Sequence, residues 1–422
     1  MAYKPFIPYR YTLKPGASAQ PPLAASSPEQ PKALISGHRE MNWLAYGWMI
    51  LAIIISVFSL WAHLQIGLNN DQLIVMHEVS KRVAGDMATA GYTYANLLLL
   101  PILYTAPFLL SKAMGTPLHV CLYVGVYEGI ALTLLLCESI VRNSNVSRNG
   151  RIIIVSSIAV ALLGASFVYP LFADRDHLLL VMAAPWFLLY SPLAKRETIP
   201  YITRMVIAAM AAIAFAIAPY FYVFYLATLV FTLCRHPWRE VIRQPEQHIV
   251  WKFALLYLIV LFSCFPHDVL TTLPLALQTY AAAWDWNSRW VIIDHELLSK
   301  FILPGFTATL VLLFAFPKTL DLTMAYMYVL LLAALASYAL SSNGYYAQYP
   351  FIALSLVLGI AAMSKLVQAV SPIPFSVLRW ACMLLAIIAV GGGLSYYFGI
   401  PIKERVAVDL KAQNRPPTVL TN

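Results

Sequence analysis

An all-α polytopic membrane protein is the fold class that the sequence predicts, and three observations predict it. Of the 422 residues, 60% are hydrophobic and only 11% are charged, whereas soluble domains carry about 25% charge. Apolar runs long enough to cross a bilayer recur along the chain from residue 43 onward. The basic residues behind the net charge of +9 gather in short loops between those runs, as cytoplasmic loops do, so the charge is no sign of a nucleic-acid partner. With so much apolar surface assigned to lipid and helix packing, a Leu or Phe stripe carries no information about a cofactor.

The elements thread the membrane in order. Residues 1–40 are polar, proline-rich and basic and predict a disordered cytoplasmic tail. The first apolar run, 43–66, is long enough to span and is no short cleavable signal. The loop 141–151 holds Arg142, Arg148 and Arg151 and no acid, so it is predicted to be cytoplasmic. Of 95–113 and 118–140, only one can then cross. The reading takes 118–140 as the span and lays 95–113, broken by Pro101 and Pro107, along the outer interface. Runs 152–171 and 178–194 form the next pair, and 205–233 is a hairpin of two short helices meeting near Pro219. Spans near 251–265, 301–316, 322–341, 350–367 and 378–399 follow, for a bundle of about eleven membrane helices. Residues 41–401 form one catalytic module, and 402–422 a short periplasmic tail.

This threading places four polar regions on the outer face: 67–94, 172–177, 266–300 and 341–349. Asn145-Val146-Ser147 matches a glycosylation acceptor but falls in a cytoplasmic loop, so it is read as chance. The five cysteines, Cys121, Cys137, Cys234, Cys264 and Cys382, have no metal-ligand spacing. Neither zinc nor a disulfide framework is predicted. No internal repeat of the kind found in many transporters is evident.

The second outer region is the most informative. Phe172-Ala173-Asp174-Arg175-Asp176-His177 puts four ionisable side chains at the rim of a bilayer. Such groups are costly there unless they face water, a partner or a substrate. One reading is a salt-bridge cluster closing a tight turn. The other is a site in which Arg175 clamps a phosphate bidentately, while Asp174, Asp176 or His177 handles protons. Asp174-x-Asp176 is a short pattern that divalent-cation sites also use, but no metal or other cofactor is predicted.

The first outer region contains Asn69-Asn70-Asp71, His77-Glu78, Lys81-Arg82 and Asp86. Leu73, Ile74, Met76, Val79 and Val83 predict an amphipathic helix over 71–83 with Asp71 at its start. Asp71 reads either as an N-cap or as a general base that takes the proton from an acceptor hydroxyl. The third region carries His267-Asp268, Asp285, Arg289 and Asp294-His295-Glu296 among Trp284, Trp286 and Trp290; the tryptophans read as interfacial belt or as stacking platforms. The fourth, Ser341 to Pro350, is a polar turn with Tyr345, Tyr346 and Gln348. Glu128, in the middle of the 118–140 span, is a carboxylate where function is the default expectation.

Taken together, these stretches resemble the GT-C superfamily of membrane glycosyltransferases that use polyprenyl-phosphate-linked sugars. Asp71 and Asp174-Arg175-Asp176-His177 stand where that family has its acidic and mixed-charge loop motifs. Phe172 to Leu178 with Pro185 is similar to the "FGQREHL…P" stretch of bacterial members. Ala218-Pro219-Tyr220 is similar to "KPY", with Ala218 in place of lysine. Asn343-Gly344-Tyr345-Tyr346 with Pro350 is similar to "KGWxYHxxP", with Gln348 near the histidine position. The match is a loose pattern over about 43–400. The resemblance implies sugar transfer, of mannose or arabinofuranose among the candidates, to a periplasmic glycan, lipid or protein such as a pilin. The cell site implied is the bacterial inner membrane. Asp71 would be the leading base, with Asp174 and Asp176 as further catalytic carboxylates. Arg175 and His177, with Lys81 and Arg82, would hold the donor phosphate, and His77, Glu78, Tyr345, Tyr346 and Gln348 would line the substrate.

Two other classes fit less well. An O-antigen-type polymerase or ligase usually concentrates its arginines and histidine in one large late loop, whereas here the charge lies in the first two outer regions. A lipid-linked sugar transporter or flippase predicts charged residues deep in several spans, and Glu128 is the clear instance.

Overall fold

The computed structural model describes residues 32–65, 67–85, 99–164, 172–264, 321–341 and 349–370, with two isolated positions at 270 and 274. These residues are helical, with no strand among them. In chain order the α-helices are α1 (Lys32–Gln65), α2 (Asn70–Val83), α3 (Leu99–Met114), α4 (Leu118–Arg142), α5 (Arg148–Gly164) and α6 (Arg175–Leu189). Then come α7 (Tyr201–Ile217), α8 (Tyr222–Leu233), α9 (Trp238–Ile242), α10 (Pro245–Cys264), α11 (Leu322–Leu340) and α12 (Tyr349–Val370).

Four helices are long and apolar enough to cross a membrane: Ala45–Leu64 within α1, α4, α10 and α11. Their outward faces fit lipid. Ile50, Ile53, Ile54 and Val57 on α1, and Leu255, Leu256, Ile259 and Phe262 on α10, are exposed, a contiguous apolar area that a water-soluble monomer rarely shows. Predicted spans 152–171, 178–194 and 350–367 are helical over α5, α6 and α12. As the sequence predicts, 205–233 is two short helices: α7 ends at Ile217 and the single 3-10 turn Pro219–Phe221 leads into α8. Spans 301–316 and 378–399, the tail 402–422 and the tail residues before 32 lie outside the described residues.

Two local expectations are corrected. Helix α1 starts at Lys32, inside the predicted disordered tail. The segment 95–113 is not broken by its prolines, because α3 continues through both Pro101 and Pro107. Pro101 stands in the first turn, where a missing N–H costs nothing. Pro107 removes one interior bond, and α3 is held by packing against α2 and α4.

Small residues set the helix spacing. Gly129 of α4 is close enough to α6 that a Cβ there would meet Val181 at 3.4 Å, and next to it the Thr133 hydroxyl donates to the Val181 carbonyl. Ala208, Ala211, Ala212 and Ala214 are fully buried on α7, which lets its backbone approach both α6 and α10. The ends of these helices are tied by a buried polar knot. Tyr225 donates to Gln247 (2.6 Å), Gln247 donates to the Tyr190 hydroxyl (2.8 Å), and Arg204 pairs with buried Glu246 (2.9 Å). That end of the bundle also carries Lys195, Arg196 and Arg204, so it matches the basic side.

Side-specific labelling checks the threading. In a background lacking the exposed Cys234 and Cys264, His77→Cys should react with a membrane-impermeant maleimide in intact cells. Arg239→Cys should react only after permeabilisation. Reaction of both from the same side contradicts the threading.

Candidate functional site

The site is built around a turn. Ala173 has φ +63°, a left-handed conformation that costs an L-residue with a Cβ about 1–2 kcal/mol. Tethers from three directions hold it there. The Tyr104 hydroxyl of α3 donates to the Ala173 carbonyl. The Gln72 side chain of α2 donates to the Phe172 carbonyl at 2.7 Å. The Ala173 N–H donates to His177 Nδ1 at 3.2 Å. The Phe172 ring is boxed by aromatics: His63 of α1 stacks on it at 3.8 Å, with Tyr123 and Tyr127 of α4 and His177 around it.

Helix α2 is fixed by its own start. Asn69 is the N-cap in a reciprocal capping box: Gln72 N–H donates to Asn69 Oδ1 (2.7 Å), and Asn69 N–H donates to Gln72 Oε1 (3.1 Å). Asp71 is therefore not the cap. It lies in the first turn, half-buried, where the positive end of the helix favours its charge.

The stretch 172–177 is not a solvent-facing loop. Asp174 is the N-cap of α6, and Arg175, Asp176 and His177 form its first turn. All four are buried, at 6%, 7%, 1% and 0% exposure. The tethers from α2 and α3 and the aromatic box draw this turn inside the bundle. Arg175 Nε lies 3.4 Å from Asp176 Oδ2, and its guanidinium lies 5.8 Å from the Tyr220 ring in the α7–α8 connection. Asp174 makes no side-chain cap bond. Asp174 Oδ2 and Asp176 Oδ1 are buried with no hydrogen-bond partner, the kind of unsatisfied group that calls for a role or a ligand.

The charges interact. Burial raises Asp174 above the usual carboxylate range; Arg175 opposes this, and the negative charges of Asp176 and Asp71 add to it. Burial raises Asp176 as well, with Arg175 pulling it back. Asp71 of α2 and Asp174 of α6 therefore share one field. Burial lowers His177 to about 4, against the bond to the Leu162 carbonyl, so the ring is neutral at pH 7.

His177 is corrected from phosphate ligand to positioning residue. Its Nδ1 accepts from Ala173 N–H and its Nε2 lies 2.8 Å from the Leu162 carbonyl, so both ring nitrogens are engaged by backbone. Its ring also faces Tyr349, whose hydroxyl donates to the Ala161 carbonyl at 2.8 Å. Lys81 and Arg82 stand in the last turn of α2, about 15 Å along the helix from Asp71, where cations complement the helix dipole. His77 is on the exposed face of α2 and Glu78 on the buried face. Tyr345, Tyr346 and Gln348 lie outside the described residues, as do Asp86 and the charged and tryptophan residues of 266–300. Glu128 is exposed on α4, turned away from the cluster. Among the described residues no three His, Cys, Asp or Glu side chains converge as a metal-binding group.

The residues that sequence reasoning missed are the positioning ones: Asn69, Gln72, Tyr104, Tyr123 and His63. A signal existed for the first two, since Asn-x-x-Gln before an apolar run is a capping-box pattern. In comparisons with protein-family models, curated proteins and solved structures, nothing matches the chain.

Gln72 also accepts from the Tyr123 hydroxyl at 3.2 Å, so one side chain serves three partners. Gln72→Ala leaves the Phe172 carbonyl and the Asn69 amide buried without it. It should lower stability by about 2 kcal/mol, measured by reversible SDS unfolding. An unchanged unfolding free energy would contradict this tethering.

Proposed function

We propose that the chain is a membrane glycosyltransferase that moves a sugar from a polyprenyl-phosphate donor to an acceptor on the outer face of the bacterial inner membrane. The observation that carries the reading is the buried Asp174-Arg175-Asp176 cluster at the start of α6, sharing its field with half-buried Asp71. A second point supports it. Two stretches on which the GT-C resemblance rests meet where Arg175 lies over Tyr220, and His177 faces Tyr349, a described residue of the fourth region.

In the proposed step the acceptor hydroxyl oxygen attacks the anomeric carbon. The bond from that carbon to the phosphate oxygen breaks, and its electron pair leaves on the phosphate. Asp71 takes the hydroxyl proton. Arg175 and the positive end of α6 stabilise the leaving phosphate. Asp176 holds Arg175 at 3.4 Å. Arg175 and the start of α6 are the positive elements of this subsite, and the raised proton affinity of Asp174 and Asp176 lowers the negative charge that opposes a phosphate.

The bundle of about eleven membrane helices, the periplasmic orientation, and mannose or arabinofuranose as the sugar belong to this proposal. Purified chain given a polyprenyl-monophosphate sugar and an acceptor should form product. Asp71→Asn should cut the rate about 100-fold or more while leaving expression and helical content unchanged. Wild-type turnover in Asp71→Asn overturns the base assignment. Turnover only with a diphosphate donor favours a polymerase or ligase, and donor movement without bond cleavage favours a flippase; either outcome overturns the proposed reaction.

A further inference from the structure

A cavity of about 310 Å³ lies between α5, α6, α11 and α12; its α5 wall ends at Leu162, whose carbonyl bonds His177. Its walls are apolar, formed by Ile154, Phe187, Met327 and Val357 among others. A space of this size is at the lower end of ligand pockets, and mostly apolar walls give water few partners. Something apolar must fill it if the helices are to keep their dispersion contacts.

Two features define the occupant. The first is depth. The lining on α5 runs from Gly150 to Leu162, about 18 Å at 1.5 Å per residue, close to one leaflet of a hydrocarbon core about 30 Å thick. The second is polarity at one end only. Tyr349 starts α12 at the Ala161 level, so Lys365, sixteen residues on, lies at the opposite end, where Gly150 sits between Arg148 and Arg151. There Lys365 Nζ pairs with Asp321 Oδ2 at 2.6 Å, and both residues line the cavity. The mouth thus offers one cation and one anion at the basic face of the bundle.

We propose that this cavity seats an acyl chain of a phosphatidylethanolamine from the leaflet on the basic side. Its phosphate replaces Asp321 on Lys365, and its ammonium replaces Lys365 on Asp321. A headgroup carrying both charges exchanges with the pair in register, whereas an anionic headgroup matches only one of them. The site goes beyond the glycosyltransferase reading and does not rest on it.

The test is native mass spectrometry of the full-length, detergent-purified chain titrated with palmitoyl-oleoyl phosphatidylethanolamine. One lipid should bind per chain. Ala361→Phe, which fills the cavity, and Lys365→Ala, at its mouth, should each weaken binding about tenfold, with Lys365→Arg restoring it. Phosphatidylglycerol should bind more weakly, and polyprenyl phosphate should not displace the bound lipid. Unaltered binding in Lys365→Ala, equal binding of phosphatidylglycerol, or displacement by polyprenyl phosphate overturns the proposal. The readout is lipid stoichiometry, so it stands whether or not the chain transfers sugar.

Discussion

Ala173 holds a left-handed backbone that a residue with a Cβ adopts only under constraint, and the end of the bundle around it is organised by that constraint. Each tether comes from a different element: Gln72 from α2, Tyr104 from α3, His177 from α6. The Phe172 ring beside it adds α1 and α4 through His63, Tyr123 and Tyr127, and His177 reaches back to α5 and faces α12. Strain of this kind persists only where the surroundings over-determine it, and it concentrates at functional sites. Loosening one tether should therefore move Asp71 relative to Asp174 and not merely soften a loop.

The same turn explains how charge is tolerated inside. Two carboxylates and a guanidinium taken out of water cost several kcal/mol each unless they are well paired, and the Arg175–Asp176 contact at 3.4 Å leaves Asp174 Oδ2 and Asp176 Oδ1 without a hydrogen bond. The carboxyl groups respond by holding protons more tightly. A carboxyl with raised proton affinity beside one with its charge in place is the arrangement that separates acid and base roles in one site.

Much of the bundle was legible in the sequence, because lipid forces long apolar runs and the runs near 43–66, 118–140, 251–265 and 322–341 announce their helices. The two helices meeting at Pro219 and the amphipathic helix carrying Asp71 were legible for the same local reasons. The burial of Asp174 to His177 was not. Four ionisable residues in a row left both a salt-bridged turn and a ligand site open, and their burial depends on partners such as Gln72, one hundred positions away from Phe172. The distance of Lys81 and Arg82 from Asp71 was readable from helical rise alone. The engagement of both His177 nitrogens needed the fold, as did the apolar cavity, which exists only once four helices are placed together.

If Asp71 and Asp174 belong to one site, each feels the other's charge. Infrared difference spectroscopy across a pH titration tests this claim without relying on turnover. A protonated carboxyl band should persist above the ordinary aspartate range and lose its Asp174 component in Asp174→Asn. In Asp71→Asn the midpoint should move to lower pH, because removing a nearby negative charge lets Asp174 release its proton more easily. A midpoint that Asp71→Asn leaves unmoved would contradict the claim.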